Sequence, residues 1–263
     1  LNIETTSIDS YINFCESLQR TEKTMPQIVQ EIKFVDKIDS LLETEFMSRN
    51  TRQNPLQTQY NTFQKLRADA VKAQKLQFDK YNFIVKGIAE KAESEVNKLY
   101  KQSTDIPFTV KGLNTEELLK KTVILKKKTE NIKQPIDNCN RYQRILGVTY
   151  SDFNNFKPLV TNITFSEALY PTVKKWEAVS SQVGTVPFAH INIEDFKKMV
   201  SVFNDNIQNL KNIFDKPSPI VSELSVNYSE IFPYIPQLEK LAGARMKLRH
   251  WKQLYAESGH NDL

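Results

Sequence analysis

The residues of this 263-residue chain whose types bear catalytic or metal chemistry are its three histidines, two cysteines and a few adjacent carboxylates. A general-base histidine needs a nucleophile or an orienting carboxylate within hydrogen-bond reach. His250 stands between Arg249 and Trp251 with no such partner close in sequence, and His190 and His260 stand alone. Zinc needs clustered Cys and His ligands; Cys15 and Cys139 are far apart, and neither has a CxxC partner. HExxH and GxSxG, which carry metalloprotease and serine-hydrolase chemistry, do not occur. A phosphate-binding P-loop ends in Gly-Lys, and none of the six glycines, at 87, 112, 147, 184, 243 and 259, precedes a lysine. Glu116-Glu117 and Glu194-Asp195 are the best paired carboxylates. Both fall where helices should begin, and compensation of the helix dipole accounts for them better than acid/base work. The residues therefore predict no enzyme site: no catalytic, cofactor-binding or metal-ligating residue is nominated.

Binding chemistry has two candidates. Five lysines fall within 120–128: Lys120, Lys121, Lys126, Lys127 and Lys128. Such a patch suits acidic lipid, a tubulin-like acidic surface or an acidic protein partner. The plainer reading is a solvated helix face, with Leu118, Leu119, Val123 and Leu125 on the buried side. Trp176 in "VKKWEAV" reads the same way, as a buried anchor between solvated lysines. The second candidate is "MKLRHWKQLYAESG" (246–259), where Leu248, Trp251, Leu254 and Tyr255 share one helix face and Arg249, Lys252 and Gln253 lie largely off it. Trp on a core stripe buries roughly 150–250 Å². That makes the segment a packing element rather than a nucleic-acid patch, since no further basic or aromatic stripe extends it.

The bulk numbers agree. Thirty-six basic and 31 acidic residues leave a net charge of +5, mixed in sign and too small to argue for nucleic acid. Hydrophobic residues make up 40% and charged residues 25%, as in folded soluble domains. No run of about 18 apolar residues offers a membrane span, and "LNIETTSIDS" lacks the basic start and apolar core of a signal peptide. Free thiols in a reducing compartment are expected, and the sequons at Asn162 and Asn227 are read as chance. The chain does not begin with Met and is read as a piece of a longer protein.

Apolar spacing in steps of three and four predicts an all-α fold. Helices are expected over 7–22, 26–48, 56–101, 115–134 and 135–146, then over 151–160, 165–183, 192–215, 219–231 and 234–258, the last broken near Gly243. Ser7, Asn114 and Asn192 suit N-caps, Pro26 suits a first turn and Gly147 suits a stop. The segment 56–101 would extend roughly 65–70 Å at about 1.5 Å per residue, with Gly87 as a place to bend. A helix that long needs neighbours to cover its stripe, so we expect elongated antiparallel helical bundles in two consecutive subdomains, one of them built on this very long helix. The first subdomain is a long-helix bundle over 1–147 and the second a shorter-helix bundle over 148–263.

Two stretches also carry a family resemblance. "IPQLEKLAGARMKLRHWKQLYAESG" (235–259) resembles the segment of dynein heavy chains where the tail runs into the linker, through Pro236, Leu238, Leu241, Met246, Arg249, His250, Trp251, Leu254, Ser258 and Gly259. "LYPTVKKWEAVSSQVGTVPFAHINIEDFKKMV" (169–200) is similar to that family's Trp-bearing helix, Pro-Phe connection and acidic-started helix. Val183 or its neighbours stand where the family commonly has a second Trp. The resemblance implies a non-catalytic, force-transmitting tail-to-linker segment of a microtubule motor. ATP and Mg are then expected in the parent's motor domain and not here. The implied partners are the rest of the heavy chain, other dynein heavy, intermediate or light chains, and the microtubule through the parent. Neither nucleic acid nor membrane is among them. The implied location is the cytoplasm and cytoskeleton, with the axoneme of a cilium or flagellum favoured. The competing reading is a coiled-coil or membrane-surface-binding helical dimer module, built on the 56–101 helix and the lysines of 120–128.

Overall fold

A run of apolar and small residues at steps of three and four sets the longest helices. In the computed structural model, which describes residues 7–46, 55–107, 109–110, 112–185, 191–213, 217–243 and 247–257, these runs form α1 (Ile8–Phe46), α2 (Pro55–Ser103), α3 (Thr115–Leu146) and α4 (Phe156–Thr185). Shorter helices follow: α5 (Ile193–Ile213), α6 (Pro219–Ile231), a 3-10 turn (Phe232–Tyr234), α7 (Ile235–Gly243) and α8 (Leu248–Glu257). No strand occurs among the described residues, so the all-α expectation holds, and the 49-residue α2 is its very long helix.

Three helix starts are those the sequence marked. Ser7 Oγ accepts the Ser10 amide at 3.2 Å, Asn114 Oδ1 the Glu117 amide at 3.2 Å, and Asn192 Oδ1 the Glu194 amide at 3.1 Å. The carboxylates of Glu116, Glu117, Glu194 and Asp195 sit in first turns, where the dipole favours them. α3 stops at Gly147, which adopts φ 68°, while the Val148 amide returns to the Gln143 carbonyl at 3.1 Å. This six-to-one bond needs a left-handed residue at the turn, and glycine takes that conformation without a Cβ penalty.

Three expected boundaries are absent. Pro26 and Pro135 lie inside α1 and α3, so 7–22 with 26–48 and 115–134 with 135–146 are single helices; the expected 151–160 begins at Phe156 and runs on without a break into 165–183, with Pro171 inside α4. An internal proline removes one backbone bond and crowds the carbonyl four residues back, at about 3 kcal/mol. Here each proline is exposed. The turns beside them bury Met25, Ile132, Ile136, Cys139, Leu169, Tyr170 and Val173. At about 1.5–3 kcal/mol per buried large side chain, continuous burial outweighs the local penalty.

The chain resolves into two compact units, 1–95 with 132–153 and 96–131 with 154–263, the division passing within α2 and α3. In the first, Tyr11, Ile12 and Cys15 of α1 pack with Tyr81, Val85 and Ala89 of α2 and Cys139, Tyr142 and Ile145 of α3. Tyr11 reaches the Gln74 carbonyl and Glu22 reaches Arg67, so α1 and α2 run antiparallel. In the second unit, Phe165, Leu169 and Val173 of α4 pack with Phe203, Ile207 and Leu210 of α5 and with Ile220 and Leu224 of α6. A neighbouring cluster joins Val179, Phe196, Val200 and Ile235, with Leu238 against it. Lys126 bonds Glu167 and Lys174 lies by Glu116, so α3 and α4 also run antiparallel.

Candidate functional site

The lysine cluster lies on the part of α3 that belongs to the second unit. The buried stripe of α3 runs through Thr115, Thr122, Thr129, Ile132, Ile136 and Cys139, with Leu118 and Leu125 half-buried between. These are alternating steps of three and four. Thr122 and Thr129 fit an apolar face because each hydroxyl donates to the carbonyl one turn back, Leu118 and Leu125 respectively, both at 2.9 Å. This corrects one expectation. Val123 is not on the buried side but 60% exposed, as is Ile124 at 54%. The signal lay in the sequence: the threonines continue the heptad that Val123 breaks.

All five lysines are exposed, and they divide into two kinds. Lys121 Nζ donates to Glu117 Oε1 at 2.9 Å on its own helix, and Lys126 Nζ donates to both oxygens of Glu167 on α4 at 2.9 and 3.1 Å. The hydrogen bond to the facing carboxylate, then its charge, holds each ammonium above the usual lysine range. Lys120, Lys127 and Lys128 take no ion pair among the described residues. Beside them opens a groove of about 600 Å³. The end of α2 contributes Lys101, Gln102 and Ser103, and the residues after it contribute Asp105. α3 contributes Leu118, Lys121, Thr122, Ile124, Leu125 and Lys128, and α4 contributes Ile163, Ser166 and Tyr170. One polar contact ties a wall residue in place, Asn162 Nδ2 donating to Ser103 Oγ at 3.1 Å, and away from the groove lining Asn155 Nδ2 donates to Asn97 Oδ1 at 2.7 Å.

The second set of nominated residues is spread over α7 and α8. Pro236 is exposed in the first turn of α7, where its missing amide costs nothing, and Leu241 is half-buried. α7 ends at Gly243, the expected break. Arg249 is exposed and His250 half-buried in α8. The Lys247 amide donates to His250 Nδ1 at 3.2 Å, and Arg249 Nε lies 3.2 Å from Nε2. A neutral imidazole accepts at one nitrogen only, and both contacts are local, so the ring is engaged at the start of its own helix. The side chains of Trp251 and Leu254, and the whole of Met246 and Gly259, lie outside the described residues. No helix among the described residues is long and apolar enough to cross a membrane.

Residues 156–263, beginning at the first residue of α4, match the family model described as "Dynein heavy chain, N-terminal region 2". This segment is similar to the N-terminal region of dynein heavy chains. The similarity also reaches into the residues ahead of it. The chain is 23% identical over 238 residues to "Dynein heavy chain-like protein 2" of Plasmodium falciparum, a match covering 90% of this chain. It is 21% identical over 175 residues to "Dynein axonemal heavy chain 1" of Rattus norvegicus, and 20% identical over 168 residues to the human protein of that name, covering 63% and 60% of this chain. The chain spans 4% of the length of each of these dynein heavy chains. The matched segment comprises α4 to α8, the helices that build the cores around Phe203 and Phe196.

Proposed function

We propose that this chain is a non-catalytic, force-transmitting segment at the passage from tail to linker of a dynein heavy chain. The observation that carries the reading is the match of 156–263 to the N-terminal region, which covers the Trp176 helix, the acidic-started α5 and the Arg249-His250-Trp251 helix. Close-packed helices transmit strain because their interiors yield little, which suits a segment lying between a lever and a tail. In this reading ATP and Mg bind in the parent's motor domain. The Arg249-His250-Trp251 helix is a structural joint, and the chain assembles with other dynein heavy, intermediate or light chains. The axonemal names of two relatives favour a parent that works in a cilium or flagellum.

The test uses the full heavy chain, with residues 248–257 replaced by a Gly/Ser decapeptide. A flexible linker behaves as a random coil and carries no bending load. ATPase activity should persist while microtubule gliding velocity and stall force fall together. Unchanged stall force with the flexible insert sinks the joint role. Nucleotide hydrolysis at motor-like rates by the 263-residue chain alone sinks the non-catalytic reading.

A further inference from the structure

We infer that the exposed face of α3 and the groove beside it dock an acidic amphipathic helix of a partner protein. The argument begins with spacing. Lys120 and Lys127, and likewise Lys121 and Lys128, are seven residues apart, about 10.5 Å along one helix face. Between the two pairs stand Val123 and Ile124, more than half exposed. An aliphatic centre bracketed by cations two turns apart is the complement of a helix that carries carboxylates two turns apart around its own apolar anchors.

The groove sharpens what the occupant must be. Leu118, Leu125 and Ile163 line it, while Lys101, Lys121 and Lys128 supply its cations. Two of its hydroxyls are already committed, Thr122 donating to the Leu118 carbonyl and Ser103 to the Tyr100 carbonyl, and the other two belong to the buried Ser166 and Tyr170. A ligand therefore meets chiefly apolar surface and positive charge. Asp105 also lines the groove and opposes a compact multivalent anion. A concave site of this volume accepts protruding side chains, which a helix presents and a flat bilayer surface does not. Lys121 remains available, because its pair with Glu117 is fully on the surface and such pairs exchange readily. Lys126 is the exception, turned to Glu167 as a strut between α3 and α4. The inference stands on the second unit alone and does not depend on the force-transmitting role.

The test measures fluorescence anisotropy of the 263-residue chain with a stapled 18-residue peptide. The peptide has glutamates seven apart and leucines three and four positions after the first. A peptide of the same composition in scrambled order is the control. Saturable binding is expected, weakened at least tenfold by Lys128→Glu and by Ile124→Ser, two exposed positions at which circular dichroism should show an unchanged fold. A peptide with lysine in place of the glutamate facing position 128 should rescue Lys128→Glu. The inference is overturned by no saturable binding, by equal binding of the scrambled peptide, or by affinity that ignores both substitutions. It is equally overturned if phosphatidylserine/phosphatidylcholine vesicles bind in a Lys128-dependent manner and the peptide does not.

Discussion

Tyr142 Oη donates a 2.6 Å hydrogen bond to Asp9 Oδ1, tying the end of α3 to the first turn of α1 across 133 residues of sequence. Burial, and then this bond, push the Tyr142 phenol up to about 12. An unfolded tyrosine ionises near about 10. Because the folded value is the higher, the contribution to stability is complete below about pH 10 and is lost as the pH climbs towards about 12. Urea midpoints measured from pH 9 upward should fall over that window. Tyr142→Phe should fall less steeply, though not be flat, because burial raises Tyr11 as well. Equal slopes for the two proteins would remove Tyr142 from the account.

Tyr11 is fully buried, stacks on Tyr81 with ring centroids 4.2 Å apart, and donates to the Gln74 carbonyl at 2.8 Å. Two substitutions separate these roles. Tyr11→Phe keeps the stack and loses one neutral hydrogen bond, a cost of about 0.5–1.5 kcal/mol. Tyr11→Ala empties a core site and should cost about 3–5 kcal/mol. Chemical denaturation of both variants checks the ordering, and similar losses would show that the ring packing contributes little.

Two glycines should answer the same substitution with opposite signs. A Cβ on Gly87, within α2, meets nothing within 4 Å. Gly87→Ala should stabilise by about 0.5–1 kcal/mol through helix propensity and a less mobile unfolded chain. Gly147 has φ 68°, so Gly147→Ala places a Cβ in the left-handed region and should destabilise by about 1 kcal/mol. Thermal melts that move in the same direction for both would contradict the backbone argument.

Trp176 stacks on Phe203 with centroids 5.5 Å apart and bridges the two clusters of the second unit, since it packs against both. It is half-buried. Trp176→Ala should therefore cost about 2–3 kcal/mol, below the 3–5 of a fully enclosed tryptophan. Trp176→Phe should recover most of the loss. A melting temperature unmoved by Trp176→Ala would make the side chain a surface group and the bridge irrelevant.

Local chemistry made much of this protein legible from its residues. Ser7, Asn114 and Asn192 cap helices because a short polar side chain satisfies amides that the helix leaves open, whatever surrounds it. Gly147 stops a helix because of its own backbone freedom. The repeating apolar steps required helices, and their length required antiparallel neighbours. The candidate site was only half visible. The five lysines stood out as a cluster, but which of them is free depends on Glu167, 41 residues away on another helix. The groove exists only because the end of α2 and the middle of α4 border α3 there.

The sequence by itself determined the helical class, the capped starts, the glycine stop and the stretch that resembles a dynein heavy chain, because each depends on a few neighbouring residues. Tertiary structure alone decided that Pro26 and Pro135 lie within helices, that Thr122 and Thr129 face inward and that Val123 faces water. The physical reason is shared. A local preference of one to three kcal/mol, whether a proline's lost bond or a threonine's polarity, yields when burial on both sides of it adds up to more.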